Sequence, residues 1–152
     1  MFLMVGMSLR YLEDLPLGVR FDCGAFCFSR EEIVAFARQF DPQPFHLDDA
    51  AAERSFFKGL CASGVHTQAA AIGLMVRAIA DVAVVAGGSL DQARFFVPVR
   101  AGRRYAVTAW WQEARVSARD PARGVAVLRG VAVGEDGAEV MSFGVTYIVA
   151  MR

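Results

Sequence analysis

Residues 64–86 read GVHTQAAAIGLMVRAIADVAVVA. Val65, Ala69, Ile72, Val76, Ile79, Ala83 and Ala86 recur in strict 4-3 alternation, the spacing of a single helical stripe. The other faces carry Ala70, Ala71, Leu74, Met75, Ala78, Val82 and Val85, so the pattern predicts one long helix, apolar nearly all round, that must be enclosed by protein. Gly87-Gly88 supplies its stop. At about 1.5 Å per residue such a rod is roughly 34 Å long and needs a whole sheet as cover.

The segments on either side supply that sheet. Residues 90–99, 103–116, 124–133 and 140–149 are rich in Val, aromatics and alternation and read as four strands. Ala101-Gly102, Asp120-Pro121 and the Gly134 to Gly137 turn separate them by connections short enough for antiparallel pairing. Upstream, residues 19–28 read as a fifth strand. Ser29 then opens S-R-E-E, a capping box in which Glu32 reaches back to the Ser29 amide, so a helix starts at Arg30. Ile33, Phe36, Ala37 and Phe40 form its stripe, and it stops there because Asp41 precedes Pro42. The fold class is α+β: a curved antiparallel sheet of about five strands wrapped around one long central helix, the hot-dog geometry. Long edge strands are aggregation hazards, so a homodimer or higher homo-oligomer that pairs them is expected.

Composition sets the frame for function. The 152 residues carry 55% hydrophobic and 21% charged side chains, which fits one domain over residues 1–152 with residues 1–11 as a loosely attached segment. Sixteen acidic and sixteen basic residues cancel, and the chain lacks the basic excess of a nucleic-acid binder. Cys23, Cys27 and Cys61 are odd in number and lack CxxC spacing, which suggests neither a disulfide framework nor zinc; a reducing cytoplasm fits. The opening MFLMVGM has no basic leader or small-residue cleavage site and reads as no export signal, with Met7 a possible start. Arg77 and Asp81 interrupt the longest apolar run, which argues against a membrane span.

The chain has two histidines, His46 and His66, and the first closes F-D-P-Q-P-F-H, residues 40–46. Two prolines stiffen the stretch between Asp41 and His46, so a carboxylate and an imidazole can be held near each other and share the proton traffic of one water. The same residues also fit a turn-capping Asp and a histidine that satisfies a backbone carbonyl. No His-x-His or HExxH spacing supports a metal, and Ser63 lacks a G-x-S-x-G elbow, leaving a helix cap as its reading.

The run F-D-P-Q-P-F-H-L-D followed by G-L-C-A-S-G at 59–64 resembles the MaoC-like dehydratases, or R-specific enoyl-CoA hydratase (hydratase 2) family. Phe36, Asp41, Pro44, His46 and Ala52 stand in register with that family's signature, and the order of elements agrees over residues 12–149. The resemblance implies a carbon-oxygen lyase of fatty acid metabolism (EC 4.2.1) that adds water to the 2,3 double bond of an enoyl-CoA thioester, or removes it from the (R)-3-hydroxy compound. It needs no cofactor, coenzyme A being part of the substrate. Asp41 and His46 would act on the water, and the Gly64 amide, at the start of a helix, would receive charge from the thioester oxygen. Glycine there would let backbone approach the thioester.

Two positions depart from the signature. Phe40 replaces a glycine and reads as the last core residue of its helix, and Gln43 replaces an asparagine with a longer arm at the substrate site. Ser63, beside Gly64, is expected among the substrate contacts as well as at the helix cap, and His66, two residues after Gly64, is either a substrate contact or a packed residue of the helix start. Arg94, Arg100, Arg103 and Arg104 flank a V-P-V-R-A-G-R-R turn resembling the family's P-V-R-x-G segment, where Arg94 and Arg100 would meet coenzyme A phosphates or merely solvate a surface. Trp110-Trp111 and Phe95-Phe96 read as core residues of the sheet, one of each pair facing the central helix. Two rivals stay open: a hot-dog acyl-CoA thioesterase, and a non-catalytic acyl-CoA-binding module.

Overall fold

The computed structural model describes residues 8–152. The Ser29 hydroxyl accepts from the Glu32 amide at 3.1 Å while the Glu32 carboxylate accepts from the Ser29 amide at 2.7 Å. This reciprocal cap satisfies two amides that a helix end leaves free and starts α1, Arg30–Phe40. Two short helices follow, α2 (Pro44–Leu47) and α3 (Asp49–Arg54), then the central helix α4 (Gly64–Ala78).

Five strands form one sheet: β1 (Phe21–Cys27), β2 (Val84–Phe95), β3 (Arg104–Val116), β4 (Arg123–Gly134) and β5 (Glu139–Ala150). They lie in the order β1-β3-β4-β5-β2, every pair antiparallel. β3, β4 and β5 are successive neighbours, whereas β2 crosses to the far edge. α4 packs against β1, β3 and β4, with Ala71 and Met75 fully buried among Trp111, Leu128 and Phe143. This is the hot-dog architecture the pattern predicts, in the α+β class.

The predicted helix over 64–86 is too long. α4 stops at Ala78, and Val84 begins an edge strand that carries Gly87 and Gly88 in its interior, at a register shift, instead of using them as a helix stop. In a run of Ala and Val the 4-3 spacing continues by coincidence past the true end, while the β-branched Val84 and Val85 fit a strand better. The chain is turned there by a contact remote in sequence: Arg10 donates two hydrogen bonds to the Asp81 carboxylate, at 2.6 and 2.8 Å, and its backbone pairs with Asp81 and Ala83. This corrects the expectation of a loose segment over residues 1–11 for its last two members, since the Tyr11 amide also donates to Asp14. The readings of MFLMVGM fall on residues 1–7, outside the described residues. Among the described residues no helix is long and apolar enough to cross a membrane.

Among the described residues of one copy, α4 is not fully enclosed. Val65 and Val76 on its outer side are exposed, as are Val84, Val85 and Leu90 along the β2 edge.

Candidate functional site

Pro42 and Pro44 set the local geometry of the site. The residue before Pro42 leaves the helix, Asp41 taking φ −154° and ψ 71°, and Pro44 then starts α2 at the helical position where a missing N–H costs nothing. His46 thus rides on a one-turn helix that sequence reading did not anticipate, although Pro44 after a Gln43 N-cap is its signal. The turn buries the imidazole, only 5% exposed, and aims its two nitrogens at different groups.

Nδ1 of His46 lies 2.7 Å from the carbonyl oxygen of Cys61. A carbonyl can only accept, so Nδ1 carries the proton and a neutral His46 presents a lone pair at Nε2. Nε2 faces Oδ2 of Asp41 at 3.4 Å. Both would be acceptors, and a water donating one hydrogen to each resolves the pairing.

Asp41 is held from two further sides. Ser63 donates to Oδ2 at 2.7 Å, and the Gln43 amide donates to Oδ1 at 3.1 Å. These donors, the Ser63 hydroxyl foremost, hold its carboxyl below the usual carboxylate range against the opposing effect of burial. Ser63 is fully buried, which corrects the expectation that it touches substrate, and it caps α4, its hydroxyl accepting from the Val65 amide at 3.2 Å. Ser63→Ala is therefore expected to do two things. Loss of the cap should cost about 1 kcal/mol, read in denaturant titration. The carboxyl should also rise toward its ordinary value. A carboxylate whose folded value is depressed adds stability that is complete above its unfolded value and is lost as pH falls through the folded one. The variant should therefore lack much of the Asp41 part of wild-type stability at neutral pH, and its deficit should shrink as pH falls through the depressed wild-type value during acid unfolding.

Asp41, Gln43, His46 and Gly64 line one cavity of about 420 Å³, whose other walls are mostly apolar and include Phe57, Phe95 and Phe96. Phe95 and Phe96 are more than half exposed, which corrects the reading of one of them as core, although the Phe95 ring does face the start of the central helix; Trp111 is fully buried. Phe40, 61% exposed, is likewise not the core residue expected of it. Gly64 is the first residue of α4, and no hydrogen bond to its amide is present among the described residues. A Cβ on Gly64 would stand 2.8 Å from the Phe95 ring, so what occupies the missing side chain's space is that ring.

The remaining candidates lie elsewhere. The His66 ring is stacked between Phe28 at 3.8 Å and Phe36 at 4.3 Å, centroid to centroid, and does not line the cavity. Arg100 donates to the carbonyls of Phe57, Gly59 and Leu60, fastening the turn that carries Phe57 into the cavity wall. Its donors face backbone oxygens instead of a ligand. Arg94 sits exposed on β2 opposite Ser142, away from the cavity lining. A carbonyl-rich turn is invisible in sequence, which is why Arg100 reads like its neighbours there.

His66 has a measurable signature. Its Nδ1 is buried without a hydrogen-bond partner among the described residues, and burial pushes its pKa down. The unfolded chain therefore binds a proton more readily, and stability attributable to this ring, complete above its unfolded value, is lost as pH falls toward the folded one. His66→Phe should melt with a smaller drop between about pH 7.5 and pH 5.5 than wild type, as measured by calorimetry.

The comparisons with known proteins come from sequence and from structure. The MaoC like domain family matches residues 9–130. A relative from Bacillus subtilis (strain 168), the uncharacterized protein YdeM, is 30% identical over 89 residues, 58% of this chain; the match spans 63% of that relative's length. The crystal structure of a MaoC-like dehydratase from Rhodospirillum rubrum is similar at 33% identity and a TM-score of 0.85, over 94% of this chain and 98% of that one. The (R)-hydratase from A. caviae, described as involved in PHA biosynthesis, has a similar fold at 20% identity and a TM-score of 0.68, covering 92% of this chain and 99% of its own.

Proposed function

The chain belongs to the MaoC-like domain family, and from that premise we propose that it is a hydratase or dehydratase acting on the 2,3 double bond of an enoyl-CoA thioester, on the (R)-3-hydroxy side. The observation that carries the reading is the arrangement of two acceptors, Asp41 Oδ2 and His46 Nε2, 3.4 Å apart on the wall of a largely apolar cavity. A water donating to both has its oxygen lone pairs left to attack C3. As the new C–O bond forms, the pair takes up one proton and returns it to C2, so both groups end as they began. Asp41, already ionised through the Ser63 and Gln43 donors, needs no prior proton loss. The thioester oxygen gains charge during attack, and the Gly64 amide, on the first residue of α4, supports this reading as the donor that receives it. Dehydration is the same path reversed. The machinery is acid-base and needs no cofactor.

The apolar cavity accepts the acyl chain, and the coenzyme A arm leads out to solvent. Exposed apolar residues on α4 and along β2 favour a homodimer, with a second copy covering both.

Crotonyl-CoA tests the reading. A hydratase removes the absorbance of the conjugated enoyl group without liberating thiol, whereas a thioesterase liberates coenzyme A that a thiol reagent detects. Binding of enoyl-CoA without either change would identify a non-catalytic module. Loss of enoyl absorbance with no thiol is the expected result.

A further inference from the structure

The residue that abuts Gly64 sits on β2, the strand that directly follows α4 in the chain, and belongs to neither half of the Asp41/His46 pair. Phe95 ends the edge strand β2, beyond a register shift between Asp91 and Arg94, and Gln92 within that shift has φ +50°. A regular strand would continue straight along the sheet edge. The irregularity instead accompanies a chain that brings the Phe95 ring onto the first residue of α4, where three ring carbons lie 2.8 to 3.1 Å from the position of a Gly64 Cβ. Phe95 and Gly64 line the same cavity as Asp41 and His46.

Resting on the reading of Gly64 as the amide donor to the thioester oxygen, the geometry points to Phe95 as a specificity-determining residue that excludes substituents at C2 of the enoyl thioester. A carbonyl carbon held by the Gly64 amide carries two other groups, the sulfur and C2. The sulfur bears the same thin arm in every coenzyme A thioester. C2 is the position beside the carbonyl where substrates differ, bearing hydrogen in a linear enoyl chain and a methyl or larger branch in others. A ring packed against Gly64 at van der Waals range leaves little width at that level of the cavity, while the space beyond it stays open to chain length. Hydrophobic pockets reject one added methyl group by about 10- to 200-fold, because overpacking must displace neighbours.

The test compares crotonyl-CoA with 2-methylcrotonyl-CoA by kcat/KM in the wild-type protein, Phe95→Leu and Phe95→Ala. Wild type should prefer the unbranched substrate by at least about tenfold. Both variants should narrow that ratio, Ala more than Leu, by about tenfold or more for Ala, with crotonyl-CoA still turned over. An unchanged ratio in two active variants overturns the assignment of Phe95. Because Leu keeps an apolar wall, it serves if the Ala variant does not fold. A wild-type protein that hydrates neither substrate overturns the hydratase reading itself and this inference with it, an outcome distinct from an unchanged ratio in an active enzyme.

Discussion

Asp41→Asn and His46→Gln are each expected to lower kcat on crotonyl-CoA by at least about 100-fold while the thermal melt stays near wild type. Asn keeps an oxygen to accept from Ser63 but cannot take a proton. Gln keeps a donor within reach of the Cys61 carbonyl, which a truncation to Ala would leave unpaired in a buried site. The two substitutions act on one water, so the double variant should be little worse than the poorer single one, since groups that work as a unit are not additive. Independent multiplication of the two losses would mean that the residues serve separate steps. Retained activity in either single variant would remove that residue from the acid-base pair. Steady-state rates with circular dichroism melts on the same preparations decide between these outcomes.

The parts of the molecule legible in sequence are those fixed by local chemistry. Ser29 and Glu32 cap α1 with their own side chains, and the pre-proline position of Asp41 ends it, so both bounds of that helix read correctly. Asp41 and His46 are brought together by two intervening prolines, again a local constraint. What failed was decided by distant contacts. The end of α4 is set with Arg10 gripping Asp81 across 71 positions of chain, and nothing in a run of Ala and Val signals that. Phe95 and Phe96 read as core because alternating aromatics usually are, yet they sit at and just beyond the end of the edge strand, where both line the cavity and stay more than half exposed. His66 and Arg100 read as substrate contacts only through nearness in sequence to Gly64 and to an arginine-rich turn. Their partners, two phenylalanine rings and three carbonyls, come from elsewhere in the chain. Ser63 was read as a cap and is one, but its second bond, to Asp41 from 22 positions away, is what ties the helix start to the carboxylate.

Gly64→Ala should abolish most turnover, by about 100-fold, and the reason can be separated from mere crowding of the substrate. An added methyl meets the Phe95 ring at 2.8 Å, closer than real contacts allow, so the ring or the start of α4 must move. Overpacking of this kind costs about 1–3 kcal/mol in stability. A displaced helix start also withdraws the free amide, and loss of one such donor lowers rates by about 10² to 10³. Phe95→Ala removes the obstacle. In that background Gly64→Ala should cost little stability and should recover a substantial part of the lost kcat, with the two changes coupled in a double-mutant cycle. If the methyl instead blocks the thioester directly, removing the ring leaves the rate defect as deep as before, because the methyl still stands between the amide and the carbonyl. Stability and rate then respond differently to the same second substitution. Recovery of both locates the need for glycine in the packing of β2 against α4; recovery of stability alone locates it in the approach of the substrate.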